Sequence, residues 1–300
     1  MATLTWQQSG PVEGRQALGS IRDLVFSSGH LFGLNVYGEV WRFDDKQGWR
    51  QEIKSAIPSG VGIHIYANAW GGQLCGIGSD GRVLALEQRA TVTWSSMSEP
   101  EPKYAFKAPI GAYDPSRGIV VVWGSRKSDG SRRDETYLFD GTGWKKAKKP
   151  KVIPADLTTT QGGAFTMFYD PAAKAIVRVG ITEVATFDGA SWNSVPLANG
   201  TVLGTFDRMP CIDEATGSVL LVQRHSADLN IAKLALGTDR AQAIAVAKLP
   251  PAVTRASGDP GANVAFDQHT YDAAQRSLVV FDTKLGFRYV ADLGPLFEST

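Results

Sequence analysis

Only two cysteines and four histidines occur in 300 residues. Cys75 and Cys211 stand far apart, which offers no metal-ligand spacing and suits a reducing compartment, so no disulfide is expected. None of the spacings HxH, HExxH or CxxC is present, and neither a resident metal nor a cofactor is expected. Charge of one sign is also missing. The 31 basic and 30 acidic side chains leave a net +1, which gives no bulk attraction to nucleic acid or to an acidic membrane surface. No apolar run exceeds five or six residues, as in Ile119 to Trp123, against the roughly 18 to 20 that a spanning helix needs. The opening MATLTWQQSG has neither a basic start nor a signal-length apolar stretch, so a soluble, cytoplasmic protein is expected. Nucleophile-elbow and phosphate-loop patterns are absent as well.

What is present is close to a globular average, with 43% hydrophobic and 20% charged residues. The 32 glycines and 15 prolines are spread evenly, without a linker-like cluster, which favours one domain over residues 1–300. Short runs rich in Val, Ile, Phe and Tyr recur between Gly, Asp and Pro turn signals every eight to twelve residues. The fold class is therefore all-β.

The runs repeat as a unit. FDGTGW (Phe139 to Trp144) and FDGASW (Phe187 to Trp192) are the same hairpin, 48 residues apart. Upstream of each, YDPSRGIVVVWG (Tyr113 to Gly124) and YDPAAKAIVRVG (Tyr169 to Gly180) place an Asp-Pro turn before an apolar strand. IDEATGSVLLV (Ile212 to Val222) and YDAAQRSLVVF (Tyr271 to Phe281) are weaker copies, and two further units end at Trp49 and Trp94. Terminal tryptophans at 6, 49, 94, 144 and 192 are spaced by 43, 45, 50 and 48 residues. Six units result, with boundaries about 14–57, 58–100, 101–150, 151–200, 201–250 and 251–300. A four-stranded meander with apolar residues on both faces is covered only by stacking against its neighbours, which makes a six-bladed β-propeller of four antiparallel strands per blade. The last unit shows three strands, and the segment 3–8, containing LTWQQ, has the form of the fourth, so the amino-terminal strand is expected to close the last blade.

The Asp-Pro-x-x-Arg/Lys turn, the apolar strand ending in Gly and the aromatic-Asp-Gly-x-x-Trp hairpin resemble bacterial kelch-type repeats of the kelch and galactose-oxidase-like superfamily. Blades three and four carry the match, five and six part of it, and blades one and two look more like the Gly-rich blades of tectonin and lectin-type propellers. Trp123-Gly124 stands where a Gly-Gly doublet is usual. The resemblance implies a propeller and no particular activity. The copper-radical oxidases of that superfamily use a Tyr-Cys pair and several histidines, a set that this chain does not supply.

In such a ring the strand two-to-three connections and the interblade connections share one face. The long connections Ser125 to Arg133, Lys145 to Gly163, Gln223 to Asp228 and Leu249 to Asn263 are expected there as irregular loops. SRKSDGSRRD and WKKAKKPK are read as a solvated hairpin tip and an aggregation-resistant edge strand. The candidate ligand-binding residues are Arg133, Arg208, His225, Arg255, Asp267 and His269, in which cations outnumber the single carboxylate. No catalytic residue is assigned. The expected function is ligand or protein binding at one asymmetric site in the loop-rich channel mouth. Its partner would be a small anionic or carbohydrate ligand, or a protein or peptide, and the chain is expected to act as a monomer. The alternative is a propeller enzyme, a lyase, hydrolase or isomerase, working at the same mouth.

Overall fold

The computed structural model describes residues 2–14, 21–54, 62–88, 91–98, 110–126, 132–147, 166–180, 183–198, 206–225, 228–237, 241–248, 269–281 and 287–298. The chain opens with β1 (Ala2–Thr3) and β2 (Trp6–Ser9). Blade one holds β3 (Asp23–Ser27), β4 (His30–Leu34), β5 (Val40–Asp44) and β6 (Gly48–Ile53). Blade two holds β7 (Ile63–Ala69), β8 (Gln73–Gly78), β9 (Val83–Gln88) and β10 (Val92–Ser98). Blade three holds β11 (Ile110–Asp114), β12 (Ile119–Arg126), β13 (Arg132–Phe139) and β14 (Trp144–Lys146). Blade four holds β15 (Thr166–Asp170), β16 (Ala175–Val179), β17 (Glu183–Phe187) and β18 (Trp192–Pro196). Blade five holds β19 (Phe206–Asp213), β20 (Ser218–His225), β21 (Asp228–Leu236) and β22 (Ala241–Lys248). Blade six holds β23 (His269–Asp272), β24 (Ser277–Phe281) and β25 (Arg288–Asp292), followed by helix α1 (Gly294–Glu298).

Each blade is an antiparallel meander with its first strand at one edge. Those first strands touch in sequence, β3 to β7 to β11 to β15 to β19 to β23, and β23 returns to β3, so the six sheets form a closed ring. The second strands carry the core because both their faces are covered: every residue of β16 and of β24 is buried. The outer strands β14 and β18 alternate between half-buried and exposed, as a sheet edge facing water requires.

Two side-chain devices recur. At the first-to-second strand turns, Asp114, Asp170, Asp213 and Asp272 each accept backbone N–H groups two to three residues ahead, forming Asx turns. At the third-to-fourth strand hairpins, Asp44, Asp140 and Asp188 do the same. Those hairpins also pair Phe43 with Trp49, Phe139 with Trp144 and Phe187 with Trp192, with ring centroids 5.2, 5.2 and 5.1 Å apart. Three of the recurring tryptophans tie their blade to the one before. Trp94 donates to the Gly38 carbonyl at 2.8 Å, Trp144 to that of Gly81 at 2.7 Å, and Trp192 to the Thr136 hydroxyl at 2.7 Å.

The seam between blades five and six is held from both sides. β2 pairs antiparallel with β25, Trp6 opposite Ala291 and Ser9 opposite Arg288, which supplies the fourth strand of blade six as expected. β1 continues onto β22 of blade five in parallel, a fifth strand that the two-residue segment did not announce. Helix α1 was not expected either, since five residues are too few for a helical period. Asp292 caps it at Gly294 N (2.8 Å), and Leu296 and Phe297 enter a cluster with Leu4, Cys211, Leu220, Leu278 and Val280. Arg276 of blade six reaches Asp213 of blade five and Glu298 of α1, each at 3.0 Å. Both cysteines are free and buried, Cys75 in blade two and Cys211 in blade five. Burial raises both thiols, Cys75 to about 12. No helix among the described residues is long and apolar enough to cross a membrane.

Deleting residues 1–9 removes β1, β2 and the core side chain of Leu4, so two sheet edges and a core wall open at once. The expected loss is more than about 3 kcal/mol, from two large apolar side chains alone. Comparison of urea unfolding midpoints, or of recovery in the soluble fraction, checks this, and an unchanged midpoint would mean that the ring does not depend on its clasp.

The hairpin carboxyls predict an acid dependence. Backbone N–H donors hold the Asp44 and Asp188 carboxyls below their usual value, and at Asp140 the Lys145 ammonium leads the same effect. A carboxyl depressed by folding stabilises above its unfolded value of about 3.9 and loses that contribution as pH falls through the folded value. The melting temperature should therefore drop as pH is lowered below about 4. The drop should shrink in the triple variant Asp44→Asn, Asp140→Asn, Asp188→Asn, because Asn keeps the turn and does not titrate.

Candidate functional site

Strand direction sorts the connections into two ends. The Asx turns and the aromatic hairpins lie at one, the turn end; the second-to-third strand connections and the interblade crossings lie at the other, the mouth. Four of the expected ligand residues have their backbone at the mouth end of their strands. Arg133 is the second residue of β13, Arg208 the third of β19, His225 the last of β20 and His269 the first of β23. Arg208 and His269 are on inner strands of the adjacent blades five and six, and His225 is on the strand beside Arg208, whose Cα partner is Gln223. Arg133 comes from blade three, across from that group. His269 is half-buried and faces Val280 in the ladder. Arg255 and Asp267 lie outside the described residues, as do most of the connections 145–163 and 249–263.

Two expected loops are strand in the parts of them that are described. β12 and β13 remain paired out to Arg126 opposite Arg132, and β20 and β21 out to His225 opposite Asp228. Their ladders run eight or nine residues, against five in blade four. Blades three and five thus raise two extended hairpins on either side of blade four. In DLNIAK apolar and polar residues alternate, and in RRDETY charged residues continue the ladder by pairing with the partner strand, where Gly and charge suggest irregular loop.

Several mouth-end groups carry no repeat signal. Arg178 in β16 keeps 1% of its surface, pairs with Glu183 at 3.1 Å and lies 4.7 Å from the Trp123 ring centroid of blade three. Glu183 also accepts from Ser194 at 2.7 Å. In blade three Glu135 accepts from Tyr137 and from Lys146. A charge inside the apolar run AIVRV was the available signal for Arg178, but its partners sit on other strands. Across the ring, Asp23 begins inner strand β3 with Arg22 4.0 Å away. Burial raises the Asp23 carboxyl and Arg22 opposes it, yet 44% of its side-chain surface stays open. Such a group is partly covered by protein and still reached by water. Tyr66 of blade two feels the Asp23 charge, is raised mainly by burial, and donates to the Asn35 carbonyl at 2.6 Å. Asn35 Oδ1 in turn accepts from the Tyr37 and Glu39 N–H groups at 3.0 and 3.2 Å, so the short connection holding Tyr37, 68% exposed, is braced from within. Among the described residues no three His, Cys, Asp or Glu side chains gather as a metal ion would need.

A closed ring of six antiparallel blades, with recurring turns at one end and connections of varied length at the other, is a six-bladed β-propeller. Solved structures share the ring. An auxiliary nutrient binding protein from Bacteroides thetaiotaomicron is similar with a TM-score of 0.52 and 10% identity, over 91% of this chain and 69% of that one. YCF48 from Cyanidioschyzon merolae is similar with a TM-score of 0.52 and 13% identity, over 95% of this chain and 98% of the other. No protein-family model matches the chain, and no curated protein matches it in sequence.

Proposed function

We propose that residues 1–300 form one propeller domain that binds a ligand carrying at least one negative charge at the mouth, in a single asymmetric site on the side of blades three, five and six. The observation that carries this reading is the placement of Arg208, His225 and His269 at the same end of adjacent strands in neighbouring blades, with Arg133 on the raised hairpin of blade three. Guanidinium groups suit carboxylate, sulfate or phosphate through paired N–H donors. Arg255 and Asp267 complete the proposed set from the connection before blade six. A repeated site in every blade is disfavoured, because the sequences of blades five and six share none of the arginine-rich loop of blade three. The shared ring of a nutrient-binding protein attests the scaffold, and the kelch-type relation of blades three and four is part of the same proposal. An acidic sugar, a small carboxylate or an acidic peptide segment would each meet this chemistry.

A second reading, an enzyme at the same mouth, is favoured by Asp23. A carboxyl raised by its surroundings and still open to water is suited to proton transfer.

A thermal-shift panel of acidic sugars and carboxylates beside neutral sugars tests both. Arg208→Ala or Arg255→Ala should weaken acidic-ligand binding by about 1.5 to 3 kcal/mol, as for a lost hydrogen bond to a charged group, with the melting temperature of the free protein nearly unchanged. Binding of the acidic ligands that survives both substitutions, or unfolding of the variants, would assign those arginines to structure. If the bound ligand is turned over, Asp23→Asn should abolish turnover and retain binding; equal turnover in that variant would remove the enzymatic reading.

A further inference from the structure

At the turn end, on the opposite face from the mouth, a cleft of about 410 Å³ opens between blades one and two. We propose that it is a second binding site and that its ligand is a neutral saccharide. This goes beyond the mouth reading and does not depend on it. The lining comes from two turns and a strand end distant in sequence: Ser28 from the β3–β4 turn, Trp70, Gly71 and Gln73 from the β7–β8 turn, and Leu86, Glu87 and Gln88 from the end of β9. The volume lies in the range of small-molecule sites, about 300 to 1,000 Å³.

The cleft is built in advance of any ligand. Trp70, Gly71 and Gly72 run through the left-handed region with φ of 40, 85 and 89°. For a bulky residue such as Trp70 that backbone is an outlier that persists only where the surroundings enforce it. Here blade three enforces it: Trp70 Nε1 donates to the Gly118 carbonyl at 3.0 Å, and its ring lies 5.4 Å from Tyr113 and 5.7 Å from Phe139. From the other side Ser27 Oγ donates to the Gly72 carbonyl at 2.9 Å, which fixes the turn to blade one. At Gly29, Gly71 and Gly72 an added Cβ would meet nothing within 4 Å, so bare backbone is left open beside the cleft.

The lining selects the ligand class. Each hydroxyl of a sugar both donates and accepts, and a primary amide is the side chain that does the same; Gln73 and Gln88 supply two, with the Glu87 carboxylate and the Ser28 hydroxyl beside them. Lys, Arg and His are all missing from the lining, so the cleft offers no cation to pair with an acidic ligand. That is the reverse of the cationic set at the mouth.

Isothermal titration with galactose, N-acetylglucosamine, lactose and cellobiose at millimolar concentration tests the site. At least one should bind, and Gln73→Ala should weaken it about tenfold, the scale of a lost hydrogen-bonding side chain, without moving the melting temperature. Gly71→Asn, which fits a left-handed backbone and projects into the open cleft, should abolish binding. Should Gly71→Asn fail to fold, Gln73→Ala alone decides. Arg208→Ala should leave this binding unchanged, so loss of the mouth site and loss of the cleft are read separately. Absence of binding by all four sugars, or binding that is indifferent to Gln73→Ala, would overturn the proposal.

Discussion

A β-sheet that is apolar on both faces must be covered on both, and in this protein each sheet is covered only by its two neighbours. β16 and β24, buried at every position, show how completely the constraint applies. It makes closure a property of the whole ring, since opening any one seam leaves two sheets with a bare face. The chain meets this at the blade five–six seam by crossing it repeatedly: β1 lies on blade five, β2 on blade six, Leu4 between them enters the shared core, and α1 packs over the same cluster. Lys233 and Ser218 of blade five donate to the Phe297 carbonyl at 3.0 and 3.3 Å, which ties α1 to blade five although it follows directly on blade six.

The same constraint separates scaffold from function. At the turn end each blade from three to six uses one aspartate to satisfy the backbone of a tight turn, and Arg117 carries the solution across a blade boundary by donating to the Lys174 and Asp188 carbonyls at 3.4 and 2.5 Å. Repetition there is a sign that the residues serve the ring. At the mouth the equivalent connections differ from blade to blade, with long hairpins in blades three and five and a short one in blade four. Only differences of this kind can create a single site in a repeated scaffold. The cleft between blades one and two follows the same logic at the turn end, because those two blades lack the Asp-turn and replace it with Ser28-Gly29 and Trp70-Gly71-Gly72.

What was legible in the sequence was whatever repeats. Alternation within strands, the Asp turns, the tryptophan rhythm and the missing strand of the sixth unit lead to the closed ring without any knowledge of contacts. Elements with no repeat to reveal them were missed: β1 is two residues long, and α1 is a single turn whose reason to exist is the cluster beneath Leu296 and Phe297. The hairpin arms of blades three and five carry Gly and charge, which read as irregular loop, while the ladder there is sustained by pairing with the partner strand. Arg178, Asp23 and the cleft depend on which blades are adjacent and how their faces meet, and a linear pattern does not encode that. The ends of the strands on which Arg133, Arg208, His225 and His269 stand follow from the meander alone, because it fixes strand polarity.

One backbone position shows how local rules and ring geometry trade against each other. Four residues after the turn aspartate, blades three to six all require a left-handed residue, and they fill it with Gly118, Lys174, Gly217 and Arg276, at φ of 65, 49, 68 and 50°. Glycine is the local answer, since a side chain there costs about 1 to 2 kcal/mol. Arg276 contradicts it, and the reason lies at the seam: from that position its guanidinium reaches Asp213 of blade five, whose side chain is 6% exposed, and Glu298 of α1, and lies 5.5 Å from the Phe297 ring centroid. Removing the charge would leave a buried carboxylate without its cation, a larger cost than the strained turn. Of the two residues that break the turn rule, Lys174 and Arg276, the second joins blade six to blade five, and there the strain is accepted where the ring has to be closed.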